Sequence, residues 1–291
     1  FQFKTLFCCV MAASGAKRSP VTLIALILAG EIIFFLPFVL ARIYRPVLLE
    51  VFQITNLQLG TCFSVDGIVA MIAYFFGGPL ADRFPSRNLM AIALWATGVG
   101  GVVMAFIPPV SVMMVLYGYW GLTTIFLFWA ALVRATRDWG GDGFQGRAFG
   151  WVESGRGLAS ATLAIVTLIV FADNPDSGAQ QFQLVVAFTA LVAILTGVLV
   201  WFAVPPTLTK LERPSQKEFR QQLQTLMSMP AVWLNALIIV CAYVGYKITD
   251  DFSLYAKEVM GFDELKALMV GTGAICLRPI FALIAGLLAD R

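Results

Sequence analysis

The chain has 291 residues, of which 59% are hydrophobic and 13% charged, and its formal net charge is +3. So apolar a composition excludes a disordered chain and an ordinary soluble domain, and so small a charge calls for no nucleic-acid partner. Histidine is absent, which removes the commonest general base and metal ligand and most hydrolase readings with it.

Apolar runs follow one another at 20–41, 58–81, 89–107, 111–133, 148–171, 183–204, 230–249 and 266–288. Each is about 20 residues long, enough to cross a hydrocarbon core of about 30 Å as a helix. So many runs leave too little polar sequence to cover a soluble surface. The expected fold is an all-α membrane protein with eight transmembrane helices. An ionisable group at membrane depth costs a few kcal/mol or more, roughly, so it faces a cavity or a partner.

Residues 1–19 form a polar-ended tail that does not look like a cleaved signal peptide. The first run carries Glu31 and ends near Arg42 and Arg45. At about 100° per residue, Glu31, Phe38, Arg42 and Arg45 fall within an arc of about 60°. The second run holds Asp66 and closes on the polar heptapeptide GGPLADR, 77–83. In the fourth, FLFWAAL at 126–132 could form an aromatic wall. In the fifth, Glu153 and Arg156 are spaced to pair locally, and Gly150, Ser154, Gly157 and Ala161 form a small-residue stripe that lets another helix approach.

The longest polar stretch, 205–229, reads as a linker with its own amphipathic piece. It separates a six-helix bundle, 20–204, from 230–291. In the seventh run Tyr243, Lys247, Asp250 and Asp251 share a face. In the eighth, Arg278 lies twelve residues before Asp290, about 18 Å from the helix end. The following Pro279 frees a carbonyl that a cavity can solvate. The five cysteines show no metal spacing and read as small buried hydrophobes.

Lysine and arginine crowd one side of this alternating topology: the tail, 83–88, 134–147, 206–229 and 290–291. Basic excess marks the cytoplasmic side, so the N-terminus is expected inside.

The heptapeptide returns as AGLLADR at 285–291, an offset of 208 (285 − 77). At that offset the segment 56–83 falls on 264–291, and Arg42 falls on Asp250. The first two helices look duplicated as the seventh and eighth. An even number of helices between the copies makes this a parallel repeat about an axis normal to the membrane.

This arrangement resembles the major facilitator superfamily, whose signature between its second and third helices has the form G-x-L-A-D-R-x-G-R-K. Here it reads Gly78, Leu80, Ala81, Asp82, Arg83 and Arg87, with Pro85 and Ser86 in place of the usual Gly and Arg. The second copy is Gly286, Leu288, Ala289, Asp290 and Arg291. The resemblance implies twelve helices in two bundles, of which this chain would hold eight as a C-terminally truncated fragment. It also implies that Asp82, with Arg83, Arg87, Asp290 and Arg291, gates the cytoplasmic side. GFQGRAFGWVESGRG at 143–157 looks like the entry to helix 5 in bacterial members near the organic-anion and sugar-phosphate branch. The family often has an arginine early in helix 4; none occurs here before Arg134, which puts a proton-coupling role borrowed from it in doubt.

The expected function is secondary active transport by alternating access in a bacterial inner membrane. No G-x-x-x-x-G-K-[ST] loop is present, so ATP is not the direct energy source, and no cofactor is expected. Arg42, Arg45, Lys247 and Arg278 favour an anionic organic solute. The expected binding residues are Arg42, Lys247, Arg278, Glu31 and Asp66, with Asp250 closing the outer side against Arg42. Glu31, Asp66 and Asp250 also admit a proton-coupled neutral or cationic solute. A non-transporting membrane sensor is a further reading; a membrane enzyme is disfavoured by the lack of histidine.

Overall fold

The computed structural model describes residues 19–141, 144–172, 178–206, 224–225 and 227–289, with 278–289 described by backbone alone. The N-terminal tail, most of the 205–229 linker, Asp290 and Arg291 lie outside the described residues. Every described element is helical. Among the described residues, seven helices are long and apolar enough to cross a membrane: α1 (Pro20–Ile43), α2 (Asn56–Ala81), α3 (Ser86–Ala105), α4 (Val110–Gly140), α5 (Gln145–Ala172), α6 (Gly178–Ala203) and α7 (Pro230–Glu258). A further helix, α8, covers Glu264–Ala289.

Local chemistry sets the helix starts. Ser19 caps α1, its hydroxyl accepting from Thr22 N–H, with Pro20 fitting the first turn. Thr55 and Gln58 form a capping box on α2. α1 and α4 each contain a widened, π-helical stretch, Phe35–Val39 and Leu122–Trp129. In α1 the stretch contains Pro37, which lacks an N–H and crowds the turn before it. In α4 the Thr123 and Thr124 hydroxyls donate to the Trp120 carbonyl, competing with the helix's own bonds. A short helix, Arg45–Val51, continues from α1.

α4 runs to Gly140 and α7 to Glu258, beyond the apolar runs that forecast them. Hydropathy marks only the membrane-facing part of a helix. The last turns of α4 carry Arg137 near their free carbonyls, where a cation is favourable. α7 continues through a tight 3-10 turn, Ile248–Asp251.

α1 is the central helix, with 72% of its most apolar stretch buried against 22% for α2. It packs on α5 and α6, α3 packs along α6, and α8 lies against α5. A Cβ at Gly98 would lie 2.7 Å from the Ile194 side chain and 3.0 Å from the Ala190 carbonyl, so α3 and α6 meet nearly backbone to backbone. On α5 the close approach is at Gly155, 2.5 Å from the Ile27 side chain, whereas Gly150 of the expected stripe has open space. Cys62 is buried as expected, but Cys241 is exposed, because the α7 stretch Pro230–Tyr246 is exposed throughout.

Gly98→Val should destabilise the bundle by about 1–3 kcal/mol, since the Ala190 carbonyl cannot swing aside. The melting temperature of the purified protein should fall, while Gly60→Val, with nothing within 4 Å of its Cβ, should leave it near the parent value.

Candidate functional site

A cavity of about 500 Å³ opens between α1, α2, α4, α5 and α7. α1 contributes Glu31, Phe34, Phe38 and Arg42, and α2 contributes Asp66 and Tyr74. Trp129 of α4, Arg156 of α5, and Tyr243, Tyr246 and Lys247 of α7 complete its polar and aromatic lining. Both widened stretches border it, through Phe38 and Val39 and through Thr124, Ile125 and Trp129. The lining is therefore apolar over most of its area, with charges at fixed points, as small-solute sites commonly are.

One charged cluster joins α1 to α7. Arg42 Nε donates to Asp250 Oδ1 at 2.6 Å, and both side chains are buried. The same guanidinium donates to the Tyr246 hydroxyl and sits 4.5 Å from that ring's centroid. Lys247 takes the other Asp250 oxygen. Next to it, Arg45 Nε pairs with Asp251 Oδ1 at 3.1 Å, donates to Asn56 Oδ1, and its Nη1 donates to the Asp250 carbonyl. The Ser253 hydroxyl donates to the Arg42 carbonyl, and Lys257 reaches Glu50 at the rim. The tight turn Ile248–Asp251 brings Asp250 against α1. Arg42 and Asp250, the residues that the repeat makes equivalent, are thus in direct contact.

A second cluster joins α1 to α5. Arg156 Nε lies 3.6 Å from Glu31 Oε2, and its Nη1 donates to Glu153 Oε1 at 2.6 Å. Its guanidinium is 5.8 Å from the centroids of both Phe34 and Trp129. Gly30 makes this crossing possible: a Cβ there would lie 2.9 Å from Arg156 Cδ. The local Glu153–Arg156 pair follows from its spacing. The Glu31 contact does not, because it joins helices whose mutual rotation no spacing reveals. Arg156, Trp129 and Tyr246 are cavity residues absent from the sequence-based site; the aromatic run 126–132 signalled Trp129, the charge of Arg156 inside an apolar run signalled a cavity or a partner, and Tyr246 had no distinct signal.

Asp66 is 7% exposed and lines the cavity. Its Oδ1 has no hydrogen-bond partner among the described residues. Asp82 and Arg83 are exposed at the far end of α2 and make no ion pair among the described residues. Arg134 of α4 instead secures that end by donating to the Ala81 carbonyl. Arg87 lies 4.7 Å from the Trp201 ring centroid, with Trp95 packed against Trp201. The Arg278 side chain lies outside the described residues; its backbone is within α8.

A sequence model of the Major Facilitator Superfamily matches residues 6–291. The chain is 27% identical over 277 residues to "Inner membrane protein YqcE" of Escherichia coli, covering 94% of this chain and 64% of that protein. It is 28% identical over 276 residues to "Inner membrane protein YihN" of the same organism, covering 91% and 64%. A third relative, "Uncharacterized protein MG294 homolog" of Mycoplasma pneumoniae, is 24% identical over 309 residues, covering 95% of this chain and 63% of the relative. The chain therefore spans slightly less than two thirds of the length of these curated relatives.

Arg156→Ala would leave Glu31, 1% exposed, without this cation in a low-dielectric interior. The expected loss is about 3–5 kcal/mol, the scale for breaking a buried pair on one side. Combining it with Glu31→Gln should recover part of the loss, measured as melting temperatures of the single and double variants.

Proposed function

The chain belongs to the Major Facilitator Superfamily, a family of membrane transporters, and on that premise we propose that it is part of a secondary active transporter for a small anionic organic solute. It sits in a bacterial inner membrane with its N-terminus in the cytoplasm. Its relatives' names and the basic residues on the N-terminal side support that placement. Residues 20–204 form one bundle, 205–229 a cytoplasmic linker, and 230–291 two further crossing helices. The cationic groups Arg42, Arg45, Lys247 and Arg278 are the source of the substrate class.

The observation that supports the reading is a cavity bordered by Arg42 of α1, whose guanidinium pairs with Asp250 of α7. Alternating access needs contacts made in one state and broken in the other. Arg42, Lys247 and Arg278, with Glu31 and Asp66, surround the solute. A guanidinium grips a carboxylate or phosphate through paired donors. Asp250 gates the outer side, and Asp82, Arg83, Arg87, Asp290 and Arg291 gate the inner side. A proton, an ion or an exchanged solute supplies the energy.

A second reading has its own support. Arg42, Arg156 and Lys247 each have a carboxylate partner, and Asp66 adds another acid to the cavity. Such a lining also suits a neutral or cationic solute moved with a proton. Uptake of labelled sugar phosphates and dicarboxylates, set against amines, into vesicles holding the full-length protein separates the two. Binding without uptake would instead indicate a sensor.

Arg42→Asp and Asp250→Arg should each lower uptake by about tenfold or more, a loss of about 1.4 kcal/mol. The double swap should restore a measurable part of it. Arg278→Lys should weaken solute binding and Arg278→Ala should abolish it in an equilibrium binding assay.

A further inference from the structure

We propose that Asp66 competes with Asp250 for the Lys247 ammonium, so that the charge on Asp66 sets how firmly the α1–α7 closure holds. The inference rests on the transporter reading and adds a positioning role for two cavity residues.

The geometry comes first. Lys247 is bound to Asp250, and its Nζ lies 5.1 Å from the centroid of Phe63. Phe63 precedes Asp66 by three residues on α2, so the two are neighbours on that helix surface. Lys247 and Asp66 line the same cavity. Asp66 makes no ion pair among the described residues, and its Oδ1 accepts no hydrogen bond there. On the α4 side that oxygen faces Gly121, whose Cβ would be 3.3 Å away, so no side-chain donor approaches from that position.

A carboxylate this buried is costly when ionised and unpaired. Two changes relieve it: holding a proton, or gathering a cation. Among the described residues the other cations of the site are committed: Arg42 to Asp250 and Tyr246, Arg45 to Asp251, and Arg156 to Glu31 and Glu153. Lys247 has a 39% exposed side chain on a flexible stem, and Asp250 already has Arg42. Among the described residues, Lys247 is therefore the cation that can leave its partner without stranding a buried charge.

The remaining titratable or charged groups around Asp66 are Cys62 and Tyr74 on its own helix, Tyr117 on α4, Glu31 and Arg42 on α1, Arg45 after it, Arg156 on α5, and Tyr243 and Tyr246 on α7. With a proton on Asp66, Lys247 stays on Asp250 and two cations hold the closure. When that proton passes to cavity water, Lys247 is drawn toward Asp66, and Asp250 keeps Arg42 alone. Closure is then weaker. Acid conditions therefore favour the closed end and alkaline conditions the open one.

The test is a pulsed electron-resonance distance measurement on the full chain in phosphatidylglycerol–phosphatidylethanolamine vesicles without solute. Spin labels are placed at Leu57→Cys and Met260→Cys, both exposed at the closed end, with the native cysteines replaced. From about pH 5 to about pH 9, a range spanning perturbed carboxyl groups, the long-distance population should rise several-fold. Asp66→Asn should hold the short distance at every pH, and Asp66→Glu should retain the response. Lys247→Gln should abolish the pH response, and adding Asp66→Asn to it should change nothing further. A parental pH response in Asp66→Asn or in Lys247→Gln overturns the proposal. Because no solute is present, failure of anion uptake would leave this result standing, and the reverse is equally true.

Discussion

The contact between Arg42 and Asp250 determines where α7 stands against the rest of the bundle. Pro230–Tyr246 is exposed among the described residues, so the union of α7 with α1 is concentrated at one end. There it is made of charges: Arg42 and Lys247 on Asp250, Arg45 on Asp251, Lys257 on Glu50. Apolar packing is nondirectional and would tolerate sliding, whereas a buried pair holds one register because a lone buried charge is expensive. The cavity depends on that register. Its α7 wall, Tyr243, Tyr246 and Lys247, lies within two turns of Asp250.

The same physics makes the union reversible. Arg42 borders a space large enough for water, and Asp250 has Lys247 as a second partner, so parting the two leaves each with another group to turn to. Arg156 is enclosed differently. It is sandwiched near Phe34 and Trp129, holds Glu31 and Glu153, and crosses α1 where Gly30 leaves room. Parting those groups would empty a packed crossing. In the proposed transport cycle, the α1–α5 cluster belongs to the rigid frame of the first bundle and the α1–α7 cluster to the moving joint.

The membrane class and helix positions could be read from the sequence because hydropathy reports burial in lipid directly. The Arg42–Asp250 contact was also readable, but by symmetry: a parallel repeat puts equivalent residues at equal depth, and this pair has opposite charges. The Glu31–Arg156 contact was not, since it depends on how α1 and α5 are rotated. Tyr246 was missed because a tyrosine on a helix facing lipid looks the same in sequence as one facing a guanidinium. Cys241 was misjudged for a related reason: an apolar run says nothing about which of its faces protein will cover. The helix ends of α4 and α7 were placed short because their last turns are polar yet still helical.

The widened stretches of α1 and α4 have one more consequence. In an ordinary helix every carbonyl is spoken for, so the surface it shows is set by side chains alone. A π-helical stretch pairs its carbonyls one residue further on, as Phe35 does with the Leu40 N–H, and so widens the turn. Here two such stretches border one chamber, at Phe35–Val39 and Leu122–Trp129. An extra residue in a turn rotates every side chain after it, so the direction in which Arg42 leaves α1 and Trp129 leaves α4 depends on a local count of residues as well as on helix packing.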